Sequence, residues 1–198
     1  MSPIHRRLPA RRGGARATTW WGKAWVRAVE ESAYAEEDLR AARTLARGGR
    51  LGPISVDRGA IGCTVLGDDR LPAVTGSLAP LDDAAVDTLV EHAEESGVEL
   101  LPYSGDFSWA CTCRAWLDPC GHALAVGYQL AWLVDADPLL LLGLSGLPRD
   151  DLLARLHARG QPSTGLGPDD LELALDAALR AARALQLLAA GEPIDHLL

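Results

Sequence analysis

Apolar residues recur at roughly helical spacing over residues 18–46. Trp21, Trp25, Val26 and Val29 come first, and DLRAARTLARG continues the pattern. Gly48-Gly49 ends that stretch. The period then falls to two. PISV and AIGCTVL read as paired strands that turn at Asp57-Arg58-Gly59, and AVTGSL reads as a third strand. Asp82 is placed to cap a helix, DDAAVDTLVEHAEES, ending at Gly97, with His92 on its surface or half-buried. VELLPY leads into FSWACTC, which alternates and is rich in aromatic and small residues, so it reads as a strand. Asp118-Pro119 breaks the chain. HALAVGYQLAWLV is strongly apolar and long enough for a buried helix.

Beyond it, Asp137-Pro138 fits the cap and first residue of a short leucine-rich helical turn. PRDDLLARLHAR predicts another helix, with Leu152, Leu153 and Leu156 on one face and His157 on the exposed side. After the loop GQPSTGLG, residues 168–190 carry a helical stripe of Leu171, Leu175, Leu179, Ala182 and Leu185. That stripe would either pack on the rest of the chain or dock a partner helix. The expected class is α+β: an N-terminal helix and small antiparallel sheet, a strand–turn–helix knuckle, and C-terminal helices.

Within that pattern, Cys111, Cys113, Cys120 and His122 fall in twelve positions as Cys-x-Cys, six residues, Cys-x-His. Three thiolates and an imidazole so close together can close around one zinc ion. On a strand, residues i and i+2 share a face, so Cys111 and Cys113 can reach the same ion. Two residues apart on a helix would splay the second pair by about 200°. Cys120 should therefore precede the helix, Gly121 should turn the chain, and His122 should lie in the first helical turn. The competing readings are buried small hydrophobes or a disulfide. Three of the chain's four cysteines within ten residues argue against chance, and a Cys-x-Cys bridge is strained. Cys63, alone in AIGCTVL, reads as a core residue. A Cys₃His site is normally closed and structural, with no ligand position for a hydrolytic water. Structural zinc can contribute about 10–16 kcal/mol of apparent binding energy, against a domain stability of about 5–15 kcal/mol.

The pattern Cys-x-Cys…Cys-x-His followed by an Ala-rich apolar helix resembles the SWIM-type zinc finger. DPCGHALAVGYQLAWLVDADPLLLLGLSG, TTWWGKAWVRAVE and LARGGRLGPISVDRGAIGCTVLG resemble the actinobacterial, Swi/Snf-helicase-associated members of that family, so the likeness covers most of residues 18–148. It implies one bound zinc, a role in binding DNA or a protein partner, frequently beside a Swi/Snf-like helicase, and no catalytic activity. The organisation expected is a basic disordered arm at 1–17, an α+β region at 18–100, the zinc finger at 101–135 and a helical region at 136–198.

Charge divides the functional readings. Residues 1–50 hold eleven Lys and Arg against five Asp and Glu, while the remainder holds eight against twenty-two. Arg6, Arg7, Arg11, Arg12 and Arg16 lie among Pro and Gly. They could rest on phosphate in a salt-dependent, sequence-blind contact, or form a solvated tail, or fold back on the acidic body. Trp20, Trp21 and Trp25 could stack on bases, but their spacing fits a packed core edge better. Arg114 is the only Lys or Arg between Arg70 and Arg149. DNA binding is thus one expected function. Docking onto a helicase or other protein, which the acidic body favours, is the other.

Enzyme signatures are missing: the chain has no Walker-type phosphate loop, no Gly-x-Ser-x-Gly and no His-Glu-x-x-His. With 48% hydrophobic and 23% charged residues the chain is globular. No apolar run reaches the roughly 20 residues that span a bilayer, and the N-terminus has no secretory apolar region. A cytoplasmic, non-enzymatic protein with no small-molecule substrate and no membrane partner is expected.

Overall fold

The alternating stretches do form one sheet, and the long apolar helix after the cysteine cluster lies against it. The computed structural model describes residues 4–11, 17–67, 70–91 and 98–160, together with 175–179, 182, 183 and 186. The chain divides into two compact units, 1–154 and 155–198. The first unit contains the sheet and the candidate site.

Five strands pair antiparallel in chain order: β1 (Ile4–His5), β2 (Leu51–Asp57), β3 (Ala60–Val65), β4 (Ala73–Leu78) and β5 (Phe107–Cys111). The class is α+β, as expected. The β2–β3 hairpin closes through Arg58 (φ 46°) and Gly59 (φ 87°), with Asp57 opposite Ala60. Two positive φ angles match the twist of a two-residue hairpin, and glycine meets this demand without cost. Ile54, Val56, Ile61, Cys63, Val65, Val74 and Leu78 line the buried face, and the alternate residues face outward. Cys63 is a core cysteine, and burial pushes its thiol up to about 11, against an opposing backbone hydrogen bond from Gly52.

The helical stretch 18–46 is two helices, α1 (Trp20–Glu31) and α2 (Glu36–Arg47), where an unbroken pattern was expected. Ser32 ends the first: its N–H reaches Ala28 O and its hydroxyl donates to Val29 O at 2.8 Å. Such local side-chain bonds offer the backbone an alternative to continuing a helix. Further along are α3 (Asp83–Glu91), α4 (Gly121–Ala136), α5 (Leu139–Leu144) and α6 (Arg149–Gly160). Asp82 Oδ1 accepts the Ala85 N–H at 2.7 Å, the expected cap of α3. His92 and the expected end of that helix lie outside the described residues. Pro138 precedes α5 rather than opening it, and Asp137 Oδ1 accepts the Leu139 N–H at 3.0 Å. His157 is exposed on α6, as expected. Of the C-terminal stripe, Leu175, Leu179 and Ala182 are exposed, and Leu171 and Leu185 lie outside the described residues.

α4 packs against α1 and α2 and against the sheet at β2, β4 and β5. This explains why its sequence is apolar on nearly every side. Trp25, fully buried, donates its indole N–H to Gly127 O at 3.1 Å, and Trp21 donates to Val134 O at 3.1 Å. These two tryptophans are core and core edge, while Trp20 is exposed. Polar groups lock the three helices. Tyr128 Oη donates to Glu30 Oε1 at 2.8 Å, and Arg43 reaches both Glu30 (2.7 Å) and Tyr128 Oη (2.9 Å). The buried Gln129 donates to Ala46 O at 3.0 Å.

The arm expected to be disordered is ordered over residues 4–11. Ile4 and His5 pair with Ser55 and Ile54. Arg7 donates to Gly49 O at 2.6 and 2.9 Å, and the Arg11 N–H donates to Arg47 O at 2.9 Å. The Arg11 guanidinium sits 5.1 Å from the centre of the Trp132 ring. Arg6 is exposed, and Arg12 and Arg16 lie outside the described residues. Composition alone suggested disorder, but a strand pairing and these fixed contacts hold the segment on the body. Among the described residues no helix is long and apolar enough to cross a membrane.

Candidate metal centre

β5 is an edge strand, and its burial alternates through and beyond its end. Phe107, Trp109, Cys111 and Cys113 are half-buried, and Ser108, Ala110 and Thr112 are exposed. The expected shared face is therefore present, with one difference: the strand stops at Cys111, and Cys113 lies in the following turn. Thr112 still bonds Ala73 in both directions, N–H to Ala73 O at 3.0 Å and Oγ1 from Ala73 N–H at 2.9 Å. This anchors the turn to β4, and Arg114 (φ 60°) then redirects the chain. Residues 114–118 are exposed, with Trp116 at 98% of its full accessibility and Leu117 at 50%. Cys120 caps α4 in an extended conformation (φ −78°, ψ 170°), and His122 lies in the first turn as expected. Gly121 is the first helical residue rather than a separate turn.

The four side chains converge. One ligand atom from each of Cys111, Cys113, Cys120 and His122 lies within 4.8 Å of all the others. Cys113 Sγ is 3.6 Å from Cys120 Sγ, and Cys111 Sγ is 3.9 Å from His122 Nδ1. Thiolates held at about 2.3 Å by a tetrahedral zinc ion stand about 3.8 Å apart. The spacing fits such an ion without rearrangement of the backbone, and the quartet could hold a metal ion.

Burial and mutual proximity favour the neutral form of these thiols. Burial, reinforced by the neighbouring Cys113 and Cys120 sulfurs, pushes the Cys111 thiol up to about 12, although the Cys113 amide opposes it. Burial also raises Cys120, and the amides of Ala123 and His122 at the start of α4 pull the other way. Crowded sulfurs resist becoming thiolates together, and a metal ion held among them could supply the compensating positive charge.

A cleft of about 430 Å³ opens beside the quartet. Asp38 and Leu45 of α2, Arg50, Trp116 and Leu117 line it, together with Cys113, Cys120 and His122 but not Cys111. Arg6, Arg7 and Arg11 are not part of this centre. Trp116 and Leu117 escaped the sequence reading, although RAWL directly before the Asp118-Pro119 break already sets two large apolar residues beyond the expected strand.

No family model matches the chain, and no solved structure matches it. The uncharacterized protein Rv2102 of Mycobacterium tuberculosis is 29% identical over 170 residues, a stretch covering 73% of this chain and 61% of that protein. The chain therefore spans less than two thirds of the relative's length.

Proposed function

We propose that Cys111, Cys113, Cys120 and His122 hold one Zn²⁺ with a structural role, and that the chain is a non-catalytic SWIM-type module that docks on a protein partner such as a Swi/Snf-type helicase. The observation behind the zinc reading is the convergence of three sulfurs and an imidazole within 4.8 Å. Four protein ligands complete a tetrahedron, leaving no position for a reacting water. The ion would tie the end of β5 to the start of α4, two segments that are otherwise joined by an exposed loop.

Docking is supported by what that loop displays. Trp116 is almost wholly exposed beside the half-exposed Leu117. Exposed aromatic residues of this kind are the anchors on which interfaces concentrate their binding energy. The structure also engages Arg7 and Arg11 with the body, which removes two of the cations a phosphate contact would use. DNA binding is the second reading, and the basic balance of residues 1–50 with the exposed Arg6 speaks for it.

Elemental analysis of the purified chain tests the first claim, with one zinc per chain expected. For docking, co-purification of a helicase subunit from the native cell with wild type, and its loss with Trp116→Ala at unchanged zinc content, is the expected result. Equal recovery with both proteins would move the interface elsewhere.

A further inference from the structure

The four candidate ligands are unequal in their accessibility. Cys113 and Cys120 both line the open cleft, and Cys111 does not. The sulfurs of Cys113 and Cys120 are 3.6 Å apart, and Cys111 Sγ, within 4.8 Å of both, belongs to no residue of the cleft lining. Cys113 is half-buried, and Cys120 is 5% exposed. A small oxidant entering the cleft therefore meets Cys113 first and finds Cys120 next to it.

We infer that this pair is an oxidative modification site: a peroxide joins Cys113 to Cys120 in a disulfide and dismantles the zinc centre. The inference rests on the zinc reading above. In the first step the Cys113 thiolate attacks one oxygen of hydrogen peroxide, the O–O bond breaks, hydroxide leaves and Cys113 becomes a sulfenic acid. In the second the Cys120 thiolate attacks the Cys113 sulfur, the S–S bond forms and a second hydroxide leaves. Two electrons pass from the sulfurs to the peroxide, and two protons from solvent convert the hydroxides to water. Cys111 and His122 remain, and two ligands are too few to keep a structural ion.

The alternatives are less well placed. A Cys111–Cys113 bridge would close a strained loop of three residues, and it would involve a strand residue paired with Val74. The Cys113–Cys120 bridge closes residues 114–119 instead. Most of that loop is already exposed, so its ends can approach without disturbing the sheet. Cys63 is 7% exposed and packed in the core, so it serves as an internal control.

The test treats the full-length, zinc-loaded chain with hydrogen peroxide. Released zinc is followed with a chromogenic chelator, and disulfides are mapped by mass spectrometry of unreduced peptides. Two thiols should be lost per zinc released, a Cys113–Cys120 peptide should appear, Cys63 should stay reduced, and dithiothreitol with added zinc should restore the starting state. Cys63→Ala should give the same result. A bridge that includes Cys111, a bridge between two chains, or zinc release with all thiols intact would overturn the inference while leaving the zinc reading standing. A chain that takes up no zinc before peroxide is added would sink both, and elemental analysis reads that outcome separately. No ligand variant is needed, so loss of folding cannot blur the result.

Discussion

The carboxylate of Asp135, near the C-terminal end of α4, caps the N-terminus of α1 at Thr19. It accepts the backbone N–H of Thr19 at 2.8 Å and that of Thr18 at 3.0 and 3.1 Å, and both threonine hydroxyls donate to it. Thr19 Oγ1 in turn accepts the Gly22 N–H at 3.1 Å. A carboxylate at a helix N-terminus satisfies orphaned amides and complements the helix dipole. Burial alone would raise the Asp135 pKa, but the hydrogen bonds from Thr19 and Thr18 outweigh it and hold the group at about 2, below its ordinary 3.8. The folded pKa is the lower one, so the contribution is complete above about pH 4 and is lost as pH falls towards 2. After allowance for solvent screening it is worth about 1 kcal/mol. Asp135→Asn should lower stability by that amount at pH 7 and by little at pH 2, as read from urea unfolding at both values. An equal loss at the two values would show that the charge is irrelevant.

Cysteine substitutions should separate the metal centre from the core. Cys120→Ala leaves an incomplete shell, so zinc should be lost and the first turns of α4 should loosen, with a fall in helical circular dichroism. Chelation of wild type should reproduce that spectrum. Cys63→Ala removes one buried sulfur from the sheet face and should keep its zinc at a cost of about 1 kcal/mol in stability. Equal zinc loss in both variants would reject the ligand assignment.

At Gly127, α4 closely approaches α1. A Cβ there would stand 3.0 Å from both Cγ1 and Cγ2 of Val29, a residue that is 1% exposed. Helix propensity favours Ala over Gly by about 1 kcal/mol. Rotating the valine about χ1 can put its hydrogen in place of one methyl but not of both, so one close contact remains and overpacking of about 1–3 kcal/mol opposes the gain. Gly127→Ala should therefore destabilise the chain by about 0–2 kcal/mol net. In the Val29→Ala background the same change should be neutral or stabilising. A double-mutant cycle with no coupling would place the close contact elsewhere.

Much of this architecture was readable where a local pattern settles the geometry. Asp57-Arg58-Gly59 marked its hairpin because few residues accept the positive φ angles such a turn needs, and the alternation on either side set which face is buried. The convergence of Cys111, Cys113, Cys120 and His122 was readable because four such side chains within twelve positions have little freedom in how they meet. What escaped depends on distant partners or on competition at one residue. Thr19 and Asp135 are 116 positions apart, and no local signal joins them. The break after Glu31 follows from the Ser32 hydroxyl choosing Val29 O, in a stretch without Gly or Pro. The order of residues 4–11 depends on β2 being available for Ile4 and His5, which composition does not report.

The described N-terminal arginines provide the test of DNA binding, because the structure gives two of them other work. Arg7 holds Gly49 O and Arg11 lies over Trp132, so both should behave as stabilising residues. Arg7→Ala and Arg11→Ala should each cost about 0.5–1 kcal/mol, the usual worth of a hydrogen bond or an exposed cation–π contact. Deletion of residues 1–17 would remove β1 as well, so loss of DNA affinity in that truncation would not by itself identify a phosphate contact. Point variants avoid this problem. Each phosphate contact contributes about −0.9 to the slope of log affinity against log salt on duplex DNA. If the arm binds DNA, Arg6→Ala should flatten that slope by about one contact without changing stability. The docking reading expects a shallow slope in wild type that none of the three variants alters. A steep wild-type slope that Arg6→Ala reduces would instead assign the arm to nucleic acid and leave Trp116 without a role in binding.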